Sequence, residues 1–453
     1  MSTVDGMADL PFGFSSGEDP DKPGKKDPNS GSGGSDPFGA FGMGDLGQIF
    51  TQLGQMFSSA GTVMGGGEPA GPVNYELARR VATNSIGFVA PIPDTTHSAI
   101  ADAVHLAETW LDGATALPAG TTKAVGWTPA DWVDNSLQTW KRLCDPMAEQ
   151  ISTVWASSLP EEAKSMAGPL MAVMSQMGGM AFGSQLGQAL GRLSREVLTS
   201  TEIGLPLGPK GVAAVLPAAL ESFAAGLEQP RSEILTFLAA REAAHHRLFS
   251  HVPWLSSQVL GAVEAYARGM QIDMSGIEEL ARDFNPATLS DPAAIENLLG
   301  QGVFEPKATP AQTQALERLE TLLALIEGWV QVVVTAALGD RIPGAAALSE
   351  TLRRRRATGG PAEQTFATLV GLELRPRKMR EAAALWERLT EAAGVDARDA
   401  IWQHPDLLPD AEDLDEPAGF IDRVIGGDTS GIDEAIAKLE ENPEDPGAGP
   451  VDG

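Results

Sequence analysis

Arg241-Glu242-Ala243-Ala244-His245-His246 decides how this chain is read. The stretch is one residue away from H-E-x-x-H. That spacing puts two histidines on one helix face, at i and i+4, with a glutamate beside the first, and it is the signature of a helix that holds zinc. Glu242 and His245 stand where the glutamate and the second histidine belong, and Arg241 stands in the place of the first. A guanidinium stays protonated and offers a metal no lone pair. The same six residues thus point to a hydrolytic metal site and remove one of its ligands.

Outward from the motif, residues 232–249 place Leu235, Leu238, Ala239, Glu242, His245, His246 and Phe249 on one broad helical face. Glu242 and His245 are expected to point inward, close enough to share a metal or a hydrogen bond. Helical periodicity continues in both directions, at 75–83, 98–111, 128–144, 161–198 and 216–226, then 254–270, 277–284, 292–299, 309–338, 345–356, 361–369, 378–393 and 397–403. The segment at 128 opens with Thr-Pro-Ala-Asp, a capping pattern with proline at the first helical position. Within 161–198 many small residues suggest close helix packing, with Pro169, Gly178 and Gly179 expected to break it into a buried hairpin. Strand-type alternation is almost absent. The expected fold is all-α: one large multi-helical domain over 71–405, with a potential split near Pro206 and Pro209.

The flanks differ in composition. Residues 1–70 are rich in Gly, Ser, Asp and Pro and are expected to be a disordered arm, with a weak amphipathic helix at 45–58. Residues 406–453 are acidic and interrupted by Pro and Gly, and read as a disordered tail with a short helix at 431–441. The net charge of -29, from 61 acidic and 32 basic residues, disfavours nucleic acid and anionic membranes as partners. Cys144 is the one cysteine, so neither a disulfide framework nor a thiolate zinc cluster is expected. No apolar run reaches the roughly 18 residues of a membrane span. The opening residues lack the basic start and apolar core of a signal peptide. The expected location is the cytoplasm.

"REAAHHRLFSHVPWL" (241–255) resembles the zinc-binding helix of the zincin-like metallopeptidase type 2 family, a mostly actinobacterial group described as hydrolases or zinc-dependent metalloproteases. In fuller members the helix reads H-E-x-x-H-x-x-Q-F, followed by a Pro-Trp-Leu turn. This chain keeps Glu242, His245, Phe249 and Pro253-Trp254-Leu255. "LLALIEGWVQVVV" (322–334) resembles a second family segment, with Trp329 where that segment has histidine. Residues 351–386 resemble a third. The resemblance spans about 75–405 and implies a zincin-like domain with zinc as cofactor. It implies His245 and Glu327 as metal ligands and Glu242 as the base that deprotonates metal-bound water. His246 is turned about 100° from His245 on the helix, and His251 reaches the site only if the turn before Pro253 folds back. Arg241, or another arginine, is expected to pair with Glu242 or Glu327.

Two functions follow. One is a metal-dependent peptidase or hydrolase acting on a peptide or protein substrate. The other is a catalytically silent relative that uses the same fold to bind a peptide or protein partner. Asp102, His105 and Glu108 share a helix face, but a di-iron bundle needs two Glu-x-x-His helices and this chain has one. The basic islands Arg353–Arg356 and Arg375–Lys378 read as a solvated face or as internal charge partners more readily than as phosphate sites.

Overall fold

The computed structural model describes residues 71–157, 168–269, 309–357 and 378–426. The expected arm at 1–70 and residues 427–453 of the expected tail at 406–453 lie outside these residues, as do the expected helices at 45–58, 277–284, 292–299, 361–369 and 431–441. In chain order the elements are α1 (Tyr75–Ile86), α2 (Asp94–Leu111), β1 (Lys123–Gly126), α3 (Pro129–Ser157), α4 (Gly168–Leu193), β2 (Val212–Val215), α5 (Pro217–Ala224) and α6 (Arg231–His251). They continue as α7 (Leu255–Arg268), α8 (Pro310–Leu338), α9 (Ala345–Ala357), α10 (Met379–Ala400), α11 (Ala411–Asp415) and α12 (Pro417–Gly426).

The structure is mostly helical, as the periodicity predicts. Local chemistry sets the helix starts. Thr309 and Gln312 close a capping box at the head of α8, with Pro310 at its first position. Thr128 and Asp131 bond each other reciprocally ahead of α3. Helix α3 runs on through Pro146 to Ser157, past the expected stop at 144. Helix α4 is also unbroken at Gly178 and Gly179, where breaks were expected. Gly179, Gly183, Gly187 and Gly191 recur every four residues and lie against the backbone and side chains of 71–85. They let α1 approach closely and do not interrupt the helix.

Two features were not legible in the periodicity. β1 and β2 form a two-stranded parallel ribbon, with Lys123 opposite Val212 and Gly126 opposite Val215. Four residues are too few to show an alternation. The helical fold also passes the expected boundary at 405. Leu414, Phe420 and Ile421 are buried, and α12 packs on α10. A handful of apolar residues anchors this acidic segment, which its average composition conceals. At the potential split near Pro206 and Pro209, Leu205 and Leu207 are buried in the core shared with the other described residues.

The core gathers around α6 and α8. Helix α6 packs against α2, α8 and β2, and α8 packs against α7 and α10. Gly328 allows the contact between α8 and α10, since a methyl group there would press on the backbone of Ala382 and Ala383. Among the described residues α8 is the one helix long and apolar enough to cross a membrane, and 78% of its apolar window is buried inside the fold.

Candidate functional site

Helix α6 is buried on almost its whole circumference, from Phe237 to Ala240 and from Glu242 to Phe249. Successive residues on such a helix face different walls, turned by about 100° each. Arg241 and His245 form one row of the i,i+4 kind, Glu242 and His246 the next, and Arg247 begins a third. Each row meets its own partners.

The first row faces α8 and α9. Glu327 of α8, 2% exposed, accepts from His245 Nε2 at 3.0 Å on Oε1. Its Oε2 takes Arg241 Nη2 and Arg356 Nη1, each at 2.6 Å. His245 Nδ1 lies 2.8 Å from the carbonyl of Arg241. Both ring nitrogens thus face acceptors. Burial pushes the Glu327 carboxyl up, but Arg356, His245 and Arg241 outweigh it and hold it well below the usual range. The loop before β2 comes close here at Gly204, whose φ of 79° and whose 3.1 Å gap to Glu327 Oε1 at the Cβ position suit glycine.

The second row faces that loop and β2. Glu242 is fully buried and accepts from the Ser200 hydroxyl, from Thr201 Oγ1 at 2.5 Å and from Thr201 N at 3.2 Å. Ala214 N of β2 adds a bond at 3.2 Å and His246 Nε2 another at 3.3 Å. Burial raises its pKa, and these donors more than reverse that, leaving it at about 2. The third row is structural: Arg247 binds Glu108 and Asp112 at 2.6 Å and the Leu117 carbonyl at 2.9 Å, tying α6 to α2.

Several expectations change. Glu242 and His245 do not share a partner; they belong to adjacent rows, and Glu242 pairs with His246. The expected arginine pairing is present, made by Arg241 and Arg356 on Glu327 and not on Glu242. Trp329 is two residues from Glu327, about 200° around the helix. Its indole donates to Asp399 at 2.8 Å on the far side, so its presence removes no ligand from the Glu327 side. Trp254 donates to the Trp402 carbonyl at 3.2 Å and stacks on its ring. His251 is exposed, 3.3 Å from the Ala119 carbonyl, outside the cluster. His105 is exposed, and Glu108 is occupied by Arg247. Sequence reasoning missed Ser200, Thr201 and Arg356; of these only Arg356 left a signal, as a member of the basic island.

A model of the zincin-like metallopeptidase family matches residues 73–421. The chain belongs to the zincin-like metallopeptidase family. This family member is also similar to a Chloroflexus aurantiacus protein whose crystal structure is described as that of "a putative hydrolase with a novel fold". The two are 20% identical, with a TM-score of 0.52 over 78% of this chain and 98% of the other, a likeness of fold. No curated protein matches the chain.

Family membership implies zinc in general, and the residues of this zincin-like chain do not fit it. A zinc site takes three or more protein ligands. His245 and Glu327 are two. Both His245 nitrogens are occupied, and two guanidinium groups sit on the Glu327 carboxylate where a cation would go. Among the described residues no group of three or more His, Cys, Asp or Glu side chains is arranged to hold a metal.

Proposed function

We propose that this member of the zincin-like metallopeptidase family has kept the fold without zinc hydrolysis and acts by binding a peptide or protein partner. One observation carries the reading: Glu327 is held by Arg241 and Arg356, each at 2.6 Å, with His245 on its other oxygen. Two guanidinium groups supply the charge compensation that a metal would give the carboxylate. The candidate base points the same way. Glu242 accepts five hydrogen bonds and has no oxygen left for a water. Beside the ion cluster, Leu198, Glu202, Leu238 and Leu352 help to enclose a cavity of about 10 Å³, room for about one water molecule and no scissile bond.

The second reading is hydrolysis, supported by the family and by the 3.0 Å contact between His245 and Glu327. It requires a metal to displace both arginines.

Metal content by mass spectrometry, on tag-free protein incubated with zinc, separates the two. The wild type is expected to hold far less than one zinc per chain. The double variant Arg241→His/Arg356→Ala is expected to bind zinc, because it restores a third ligand and clears the carboxylate. About one zinc per wild-type chain, lost in His245→Ala and accompanied by peptide cleavage, would overturn the proposal.

A further inference from the structure

The exchange of a histidine for Arg241 does more than close a metal site. Arg241 spends one donor, Nη2, on Glu327. Its other donors, Nε and Nη1, have no partner among the described residues, and 13% of the side chain is exposed. Arg241 lines a cleft of about 410 Å³ between α6, the end of α8 and the start of α9. Phe237, Val334, Leu338 and Ile342 give it apolar walls, and Gln331, Thr335 and Ser349 add polar groups. Thr335 and Ala346 are exposed at its mouth, so the cleft opens to solvent.

Charge supports the same reading. Arg241 shares with Arg356 and His245 the carboxylate that it bonds, and Glu202 also acts on Arg241. Burial first, and then the nearby Arg356, press its pKa below the ordinary value, against the pull of Glu327. A cation in that position gains from an anion, and a planar guanidinium favours a carboxylate because two N–H groups can bond two oxygens. A volume of this size with apolar walls and a few polar groups suits a small organic ligand.

We propose that the cleft binds a carboxylate carrying a short apolar body, with Arg241 at its base taking the carboxylate and Phe237, Val334 and Leu338 taking the body. The ligand is either the C-terminal residue of a peptide or a free short-chain acid. This deepens the binding function proposed above and rests on its metal-free site.

Calorimetry on the full chain tests it with two acids, N-acetyl-L-leucine and hexanoate, against their neutral amides, with zinc content measured on the same sample. At least one acid is expected to bind, roughly tenfold or more tightly than its amide. A preference for N-acetyl-L-leucine assigns the site to peptide C-termini, and a preference for hexanoate assigns it to free acids. Arg241→Gln is expected to abolish the acid-over-amide preference. Because that change also disturbs a buried ion pair, Ala346→Trp provides a second test: it fills the mouth, leaves the cluster intact and is expected to abolish binding. No binding of either acid, equal binding of acid and amide, or binding that survives Ala346→Trp would overturn the proposal. If this happens in zinc-free protein, only the carboxylate site is lost; stoichiometric zinc in the same sample would overturn the metal-free reading beneath it.

Discussion

Glu327 balances more positive charge than any other carboxylate at the site, so its loss should be the most damaging single change there. Glu327→Gln leaves two guanidinium groups and the His245 ring around a neutral amide. The expected cost is about 3–5 kcal/mol, as for other buried pairs broken on one side, read from urea denaturation. Adding Arg356→Met should recover part of it by removing one stranded cation; no recovery would mean that the arginines are not held by this carboxylate. Glu242 supplies a pH test. Its carboxyl is at about 2 in the folded chain against an ordinary 4.5. A depressed folded value contributes stability above pH 4.5 that is lost as pH falls toward 2. The gap corresponds to about 3 kcal/mol. Glu242→Gln should therefore lower the urea midpoint at pH 7, and its deficit relative to wild type should shrink as both are taken from pH 5 to pH 2.5. An unchanged midpoint at pH 7 would contradict the bonds from Ser200, Thr201 and Ala214. The glutamate and both histidines of the motif were legible in the sequence. Their partners were not, because Ser200, Thr201 and Arg356 lie 42, 41 and 29 residues from their glutamates and carry no spacing signal.

At the scale of elements, the glycines of α4 carry a sharp contrast. Gly187 lies against Ala78 and Val81 of α1, whereas Gly178 has nothing within 4 Å of where a Cβ would stand. Gly187→Val should force the two helices apart at about 1–3 kcal/mol. Gly178→Ala should be neutral or stabilise by up to about 1 kcal/mol through helix propensity. Thermal unfolding of the two variants reads this directly, and equal effects would contradict the packing of α1 on α4. Composition alone marked this stretch as closely packed, but gave no sign of which glycines touch α1. The same limit explains the expected break at Gly178 and Gly179. A glycine lowers helix propensity, and a tight contact can outweigh that.

For the whole molecule, the proposed metal-free site predicts stability that does not depend on chelators. Incubation with EDTA is expected to leave the melting temperature unchanged, whereas a structural zinc would contribute to folding and its removal would lower it. The fold instead rests on a core that runs from α1 to α12. Trp254, Trp329, Trp386 and Trp402 meet within it, and Trp402 has ring centroids 5.5–6.4 Å from the other three. Asp399, tied to Trp329 at 2.8 Å and to Arg398 at 2.7 Å, joins α10 to α8 on the side away from Glu327.

By itself the sequence determined the helical class, most helix positions, and the family resemblance with its gap at Arg241. These are local properties, written in periodicity, caps and short spacings. The tertiary structure decided what the gap means. Whether a guanidinium blocks a metal, completes an ion cluster or faces a cleft depends on which side chains arrive from α8, α9 and the loop before β2. A helix buried on every side turns each neighbouring residue of the motif toward a different wall. Spacing along the chain fixes the direction in which a side chain leaves its helix, and only the packing of the other elements fixes what it meets.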